Sequence, residues 1–311
     1  MRKLTPAQIR SKSLMVKKVM KHHFGSLPKK IEFKPAGLTN FVFETQCKTD
    51  KYIIRIGGAP EKIHDFTKEQ WAVEQAKEKG VPVAEILEVG NKIIGMPYML
   101  QQKLDGEEAP NHPERLTILR ELGAYAKTIH SIQTNNYGEV FDWSKNRLSK
   151  NNTWKSYLKD EWKVFERIKM FQKSGLLNRE RLGKLKAAIK KVEQWNFPPS
   201  LNHGDLRLKN VVVNEKGKIL AIIDWDNCTS NIAPYWDFSI ALHDLSIDGK
   251  QQFLDGYGIT AKEYIKMEYG IKVFNILNYM ETIEKLLNEK NKNQLELYEL
   301  RLNGHLDLFS L

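Results

Sequence analysis

Residues 201–226 read LNHGDLRLKNVVVNEKGKILAIIDWD, and this stretch decides the fold. Two runs rich in β-branched and aliphatic residues, 210–214 and 218–223, flank Glu215, Lys216 and Gly217, the pattern of a β-hairpin. With Gly217 at the centre of the turn, Asn210 and Asp224 lie seven positions away on either side, so both are expected at the open end of the hairpin. The loop over 203–209 brings Asp205 to that same end. A lone aspartate on a loop is ordinarily a turn former or a helix cap. Two carboxylates and an amide oxygen converging at one place are hard oxygen donors, which suit Mg²⁺ held by few protein ligands plus substrate phosphates. Zinc calls for His or Cys instead. The spare acid, Asp205, is then free to orient and deprotonate a hydroxyl.

Towards the N-terminus, short extended runs over 31–33, 40–46 and 52–56 alternate with turns, and a helix follows over 66–79, closed by Gly80 and Pro82. Further extended runs are expected over 84–89, 92–95 and 97–101. The first hundred residues thus read as a small antiparallel sheet with one helix after its third strand. Ahead of them, Thr5, Pro6 and Gln8 form an N-cap, an N1 proline and the far end of a capping box, opening a helix that stops before Gly25. The polar, turn-rich segment 103–113 marks the boundary between lobes, 1–102 and 103–311. From there to Trp195 the pattern is helical: one helix over 116–132, a second with Trp154, Leu158, Phe165 and Ile168 on its face, and a third with Leu182, Leu185, Ile189 and Val192. The fold class is α+β, with a sheet-based first lobe and a larger, mainly helical second lobe that carries inserted helices over about 140–197.

Composition narrows the function. The chain has 311 residues, 41% of them hydrophobic and 28% charged, ordinary for a globular protein. No apolar run approaches the roughly 20 residues that span a bilayer. Lysines interrupt every candidate apolar segment near the start, which argues against a secretory signal. Two cysteines are too few for a disulfide framework, so a reduced, cytoplasmic location is expected. The net charge of +11 raises nucleic-acid binding, but the lysines are scattered over helical segments and no nucleic-acid motif accompanies them. A polyphosphate substrate accounts for the charge more simply, with neither nucleic acid nor membrane as a partner.

HGDLRLKN followed by IIDWD resembles the aminoglycoside phosphotransferase and choline-kinase-like family, small-molecule kinases that share the bilobal protein-kinase-like fold. The resemblance covers most of the chain. It implies Asp205 as catalytic base and Asn210 and Asp224 as magnesium ligands, with Asp226 beside them. GLTNFVFE, 37–44, is similar to the family's first hairpin, whose turn covers the nucleotide phosphates; Thr39 and Asn40 would offer N–H groups and short side chains there. YIIRIGG puts Arg55 where protein kinases carry the strand-three lysine. Its carboxylate partner is expected on the next helix, Glu69 in preference to Glu74. YMLQQKLDG is similar to the hinge strand, with backbone groups of Gln102 and Leu104 reading the base. Arg207 lies where protein kinases carry a lysine that contacts the transferring phosphoryl group. His130 reads as a packed, hydrogen-bonded core residue with no chemical role; by the same resemblance His203 braces the catalytic loop, and Asp237 ties its helix to that loop.

The implied reaction is Mg²⁺-dependent transfer of the γ-phosphoryl group of ATP or GTP to a hydroxyl-bearing small molecule. Alternatives are a protein or peptide kinase, against which the missing HRD, DFG and APE motifs weigh, and a nucleotide-binding pseudokinase scaffold, against which the intact Asp205, Asn210 and Asp224 weigh. The acceptor does not follow from the fold. The overall charge repels a polycation, whereas acids outnumber bases over 203–260. Trp154, Trp162, Trp225, Tyr235 and Trp236 read either as core or as an aromatic wall for an acceptor.

Overall fold

A computed structural model describes residues 5–35, 40–138, 141–142, 147–148, 153–243, 245–289 and 291–308. Along the chain come α1 (Pro6–Phe24), β1 (Lys30–Lys34), β2 (Asn40–Cys47), β3 (Asp50–Gly57), α2 (Lys62–Glu78), β4 (Ile86–Gly90), β5 (Tyr98–Gln102), β6 (Glu107–Glu108) and α3 (Arg115–His130). Next are β7 (Phe141–Asp142), β8 (Arg147–Leu148), α4 (Trp154–Ser156), α5 (Val164–Ser174), α6 (Arg179–Glu193) and β9 (Ser200–Asn202). Then follow β10 (Val211–Val213), β11 (Ile219–Ile222), β12 (Thr229–Asn231), α7 (Tyr235–Ala241), α8 (Ile247–Tyr257), α9 (Ala261–Asn288) and α10 (Lys292–Leu308). They fall into two compact units, Met1–Ile118 with Leu208–Cys228, and Leu119–Arg207 with Thr229–Leu311.

The first unit is built on an antiparallel sheet of order β1-β2-β3-β5-β4, with α2 inserted after the third strand as the sequence implies. Alternation along β2 places Phe41 and Phe43 in the core beside Ile54 and Ile56 of β3 and Tyr98 and Leu100 of β5. Val16, Val19 and Met20 of α1 join the same cluster with no exposed surface. That helix opens on the expected reciprocal cap: the Gln8 N–H donates to Thr5 Oγ1 at 3.3 Å and the Thr5 N–H to Gln8 Oε1 at 2.9 Å. Residues 92–95, read from the sequence as an extended run, form a turn in which Gly95 sits at φ +67°.

The β10–β11 hairpin also belongs to this unit. Its register pairs Val211 with Ile222 and Val212 with Ala221, and Gly217 turns it at φ +76°, its N–H donating to the Asn214 carbonyl at 2.9 Å. A side chain at Gly217 would put Cβ 2.9 Å from Glu114 Cβ, so glycine serves both the turn and the packing. β10 pairs on its other edge with β6, and the Ile222 N–H donates to the Pro82 carbonyl at 2.9 Å. Those pairings explain why the compact unit extends past Gln102 to Ile118 and takes in Leu208–Cys228, whereas composition places the lobe boundary at 102/103.

The second unit is mainly helical. Its core runs from Trp154 and Tyr157 through α5 and α6 to Trp236 of α7 and Val273, Phe274, Ile276 and Leu277 of α9. The single helix expected over 154–168 is interrupted: α4 passes into a π-helical turn, Tyr157–Glu161, and Lys163 adopts φ +49° before α5 begins. This break turns Phe165 outward, 39% exposed, while Trp154, Leu158 and Ile168 stay buried. Trp154, Trp162 and Trp236 are core residues, and Trp154 stacks on Phe274 with centroids 5.5 Å apart. Trp225, in the first unit, is buried as well.

α3 and α8 meet backbone to backbone. A Cβ on Gly256 would lie 1.8 Å from the Arg120 carbonyl oxygen, and one on Gly123 would lie 2.0 Å from that of Phe253. Neither neighbour is a flexible side chain, so Gly256→Ala must part the helices. The expected loss is about 1–3 kcal/mol of unfolding free energy, larger than the ~1 kcal/mol that alanine gains in helix propensity. Denaturant titration checks this; an unchanged or raised midpoint would contradict the crossing.

Candidate functional site

Arg55 leaves the middle of β3, where register fixes it opposite Val42 and Met99. Its guanidinium is 11% exposed and forms an ion pair with Glu69 of α2, whose carboxylate is only 4% exposed. Glu74, one turn further along, faces solvent. Arg55 Nη1 also lies 4.0 Å from Asp224 Oδ1, and Arg55 Nε is buried with no hydrogen-bond partner. Burial works against the Arg55 charge, and the surrounding Glu69, Asp226 and Asp224 carboxylates more than offset it, so its pKa is raised. Glu69 is pushed up to about 7 by burial, against the pull of Arg55.

Asp224 follows β11 in a left-handed conformation, φ +66°, which aspartate tolerates better than most residues. The turn Trp225–Asn227 beyond it is pinned by Trp225, whose indole N–H donates to the Ile222 carbonyl at 3.0 Å. Across the hairpin mouth the Ile223 N–H donates to the Asn210 carbonyl at 2.9 Å, so the expected juxtaposition of Asn210 and Asp224 is realised at the open end. Asp226 Oδ1 is buried and makes no hydrogen bond; burial, then the charge of Asp224, raises its pKa. Crowded carboxylate oxygens with an unsatisfied acceptor beside an amide are chemistry that fits a hard divalent cation such as Mg²⁺. Among the described residues no three His, Cys, Asp or Glu side chains form a metal cluster of their own, so such an ion needs further oxygens from phosphate or water.

Beside this cluster, also in the first unit, is a slot of about 220 Å³ lined by residues including Ile53, Ala84, Leu104, Val212 and Ile223. It is smaller than the roughly 300–1,000 Å³ of drug-sized pockets, and its facing aliphatic side chains suit one planar base. The Lys103 N–H donates to the Lys51 carbonyl at 2.9 Å, which makes Tyr52 and Gln102 a non-hydrogen-bonded pair and turns the Gln102 backbone away from β3. Its N–H is committed to the Glu85 carbonyl at 2.8 Å. Of the two hinge positions read from the sequence, then, Gln102 has only its carbonyl to offer, whereas the Leu104 N–H makes no hydrogen bond among the described residues. Val212 and Ile223 were not singled out from the sequence, although their place on the hairpin that carries Asn210 and Asp224 was a usable signal. Asn40 begins β2, buried, with Oδ1 unpartnered; Thr39 lies outside the described residues.

The second unit holds Asp205, Arg207, His203, His130 and Asp237, the other residues singled out from the sequence. Asp205 is 8% exposed and its Oδ1 accepts from Arg207 Nε at 2.5 Å. The Asp205 N–H donates to His203 Nδ1 at 3.3 Å. Asp237, fully buried in α7, accepts from the His203 N–H at 2.9 Å and from the Gly204 N–H at 2.7 Å, and lies 2.9 Å from His130 Nε2. Burial pushes the Asp237 carboxyl up, but the His130 hydrogen bond, the charges of His130 and His203 and the loop N–H hold it below the usual carboxylate range.

The raised pKa of Glu69 gives a pH-dependent test. The carboxylate that pairs with Arg55 dominates above about pH 7 and is lost below it. Glu69→Gln, permanently neutral, is therefore expected to depress nucleotide turnover more at pH 8 than at pH 6, relative to wild type at each pH. An equal loss at both would contradict a carboxyl titrating between them.

The pattern of the APH phosphotransferase enzyme family matches residues 31–268. No curated protein sequence matches the chain. Among solved structures, that of aminoglycoside phosphotransferase APH(4)-Ia superposes with a TM-score of 0.69 at 14% identity, over 95% of this chain and 98% of that one. The same enzyme occurs as a thermostable mutant in ternary complex with AMP-PNP and hygromycin B, at a TM-score of 0.68 and 14% identity over 94% and 97% of the two chains. The GDP and kanamycin complex of APH(2")-IIia gives 0.66 at 13% identity, over 94% and 98%. Identities this low establish the shared kinase-like fold. The family pattern spans the β1–β5 sheet, the α2 helix and the β10–β11 hairpin described above, and on that match the chain belongs to the phosphotransferase enzyme family.

Proposed function

We propose that the chain transfers the γ-phosphoryl group of ATP or GTP to a hydroxyl of a small molecule, with Mg²⁺. The observation that carries this reading is the buried Arg55–Glu69 pair facing Asp224 beside the apolar slot. A buried guanidinium with one N–H unpartnered suits phosphate oxygens better than a purely structural role. The nucleotide complexes of fold relatives support it further.

In this reading the base lies in the slot, with the Gln102 carbonyl and the Leu104 N–H on its polar edge. Arg55, held by Glu69, binds α- and β-phosphate oxygens, and the backbone at Thr39 and Asn40 covers the phosphates. Asn210 and Asp224, with Asp226 behind them, would hold Mg²⁺, which would neutralise charge on the phosphate oxygens. Asp205 accepts the proton of the acceptor hydroxyl as its oxygen forms a bond to the γ-phosphorus and the bond from that phosphorus to the β–γ bridging oxygen breaks, releasing the nucleoside diphosphate. Arg207, bonded to the Asp205 carboxylate, orients it, and in this reading meets charge developing on the phosphoryl oxygens. Both cysteines are free and buried, which supports a cytoplasmic enzyme.

The test is Mg²⁺-dependent release of ADP or GDP against a panel of aminoglycosides, macrolides, choline, amino-alcohols and sugars. Acceptor-stimulated release supports the reading and names the acceptor class. Failure to bind either nucleotide sinks it.

A further inference from the structure

We infer that Tyr257, at the end of α8, is a positioning residue for the catalytic loop, acting through His130 and Asp237; this rests on the proposed phosphotransfer. Its hydroxyl lies 3.0 Å from His130 Nδ1, and the opposite ring nitrogen of His130 lies 2.9 Å from Asp237 Oδ2. A carboxylate only accepts hydrogen bonds, so Nε2 of His130 carries a proton towards Asp237, and Nδ1 on the other side of the ring pairs with the tyrosine hydroxyl. Burial, then the charge of Asp237, pushes the Tyr257 hydroxyl pKa up, so it remains a donor. Asp237 in turn holds the N–H groups of His203 and Gly204, and His203 Nδ1 holds the N–H of Asp205. One chain of hydrogen bonds therefore runs from α8 to the backbone of the residue read as the base.

The fold supports this link from two sides. Glycines at 123 and 256 allow α3 and α8 to touch through their backbones, and His130 and Tyr257 stand at the C-terminal ends of these helices. The ring of Tyr257 packs edge-on against Phe238 at 4.8 Å, which fixes its hydroxyl without other polar help. The Phe238 ring also lies 6.4 Å from the His130 ring, so it packs against both partners of the Tyr257–His130 bond. Position 257 performs no proton transfer in this account; it keeps the imidazole from rotating away from Asp237.

Tyr257→Phe removes only the hydroxyl and preserves the ring packing. In the full chain, kcat is expected to fall about tenfold, the scale of one neutral hydrogen bond at a reacting geometry, while KM for the nucleotide changes less than about twofold. His130→Gln supplies the partner variant: if Tyr257 acts through His130, the double variant is no slower than the slower single one. A kcat within about twofold of wild type overturns the inference, as does a double variant whose losses multiply, or a matching loss in kcat and nucleotide KM. Amide hydrogen exchange over 201–206 needs no turnover and separates this inference from the reaction itself. Tyr257→Phe should accelerate exchange at His203, Gly204 and Asp205; unchanged protection overturns the link even where no acceptor has been found.

Discussion

Asp205→Ala is expected to lower acceptor-dependent turnover by about 10²- to 10⁴-fold, the range for removing a general base, and to leave nucleotide affinity unchanged. The split follows from the proposed roles, Asp205 facing the acceptor hydroxyl and the Arg55–Glu69 pair the nucleotide phosphates. The substitution also frees Arg207, whose Nε is bonded to the Asp205 carboxylate. Asp205→Asn therefore belongs beside it, because the amide oxygen retains an acceptor for Arg207 while its basicity is gone. Both variants losing turnover to the same extent, with nucleotide titrations superimposed on wild type, is the expected result. A variant that keeps turnover within tenfold removes Asp205 from the role of proton acceptor.

Asp224→Asn is expected to reduce turnover about 10³-fold, since stabilising charge at the phosphoryl oxygens is worth several kcal/mol and each 1.36 kcal/mol is a factor of about ten. Asparagine occupies the left-handed region as readily as aspartate, so φ +66° is no obstacle and the change isolates the charge. The stability consequence has the opposite sign. Asp226 is buried with its pKa raised first by burial and then by Asp224, so removing that neighbouring charge relieves a repulsion in the folded protein. In chelator, the melting temperature of Asp224→Asn should equal or exceed that of wild type. With Mg²⁺ and nucleotide added, wild type should gain melting temperature and the variant should gain far less. A variant that loses both turnover and intrinsic stability would mark Asp224 as structural.

Asn210 and Asp224 could be placed at one end from the sequence because the hairpin between them is local: a turn at Gly217 and two short runs set which residues share the open end. Arg55 was legible from its strand, but its partner was a choice between Glu69 and Glu74, both on one helix. The choice depends on which face of α2 meets the sheet, and burial of Phe66, Ala72, Val73 and Ala76 turns Glu69 inward. At the hinge, residue positions were readable, whereas the commitment of the Gln102 N–H to Glu85 depends on a neighbouring strand. The aromatic residues gave no reading of the acceptor, and the break at Lys163 that helps place Trp162 in the core has no sequence signature, a left-handed lysine being rare.

By itself the sequence determined the sheet-then-helix order, the capped first helix, the hairpin and the spacing of Asn210 and Asp224 on either side of its turn, because each is governed by backbone preferences and periodicity within a few residues of chain. Tertiary structure alone decided that Tyr257 reaches His130, 127 positions away in the chain. It also grouped the hairpin with the β1–β5 sheet through β6 and Pro82. Contacts of that kind depend on how closely two backbones approach, as at Gly123 and Gly256, and the approach distance is a property of the packed helices that no local pattern encodes.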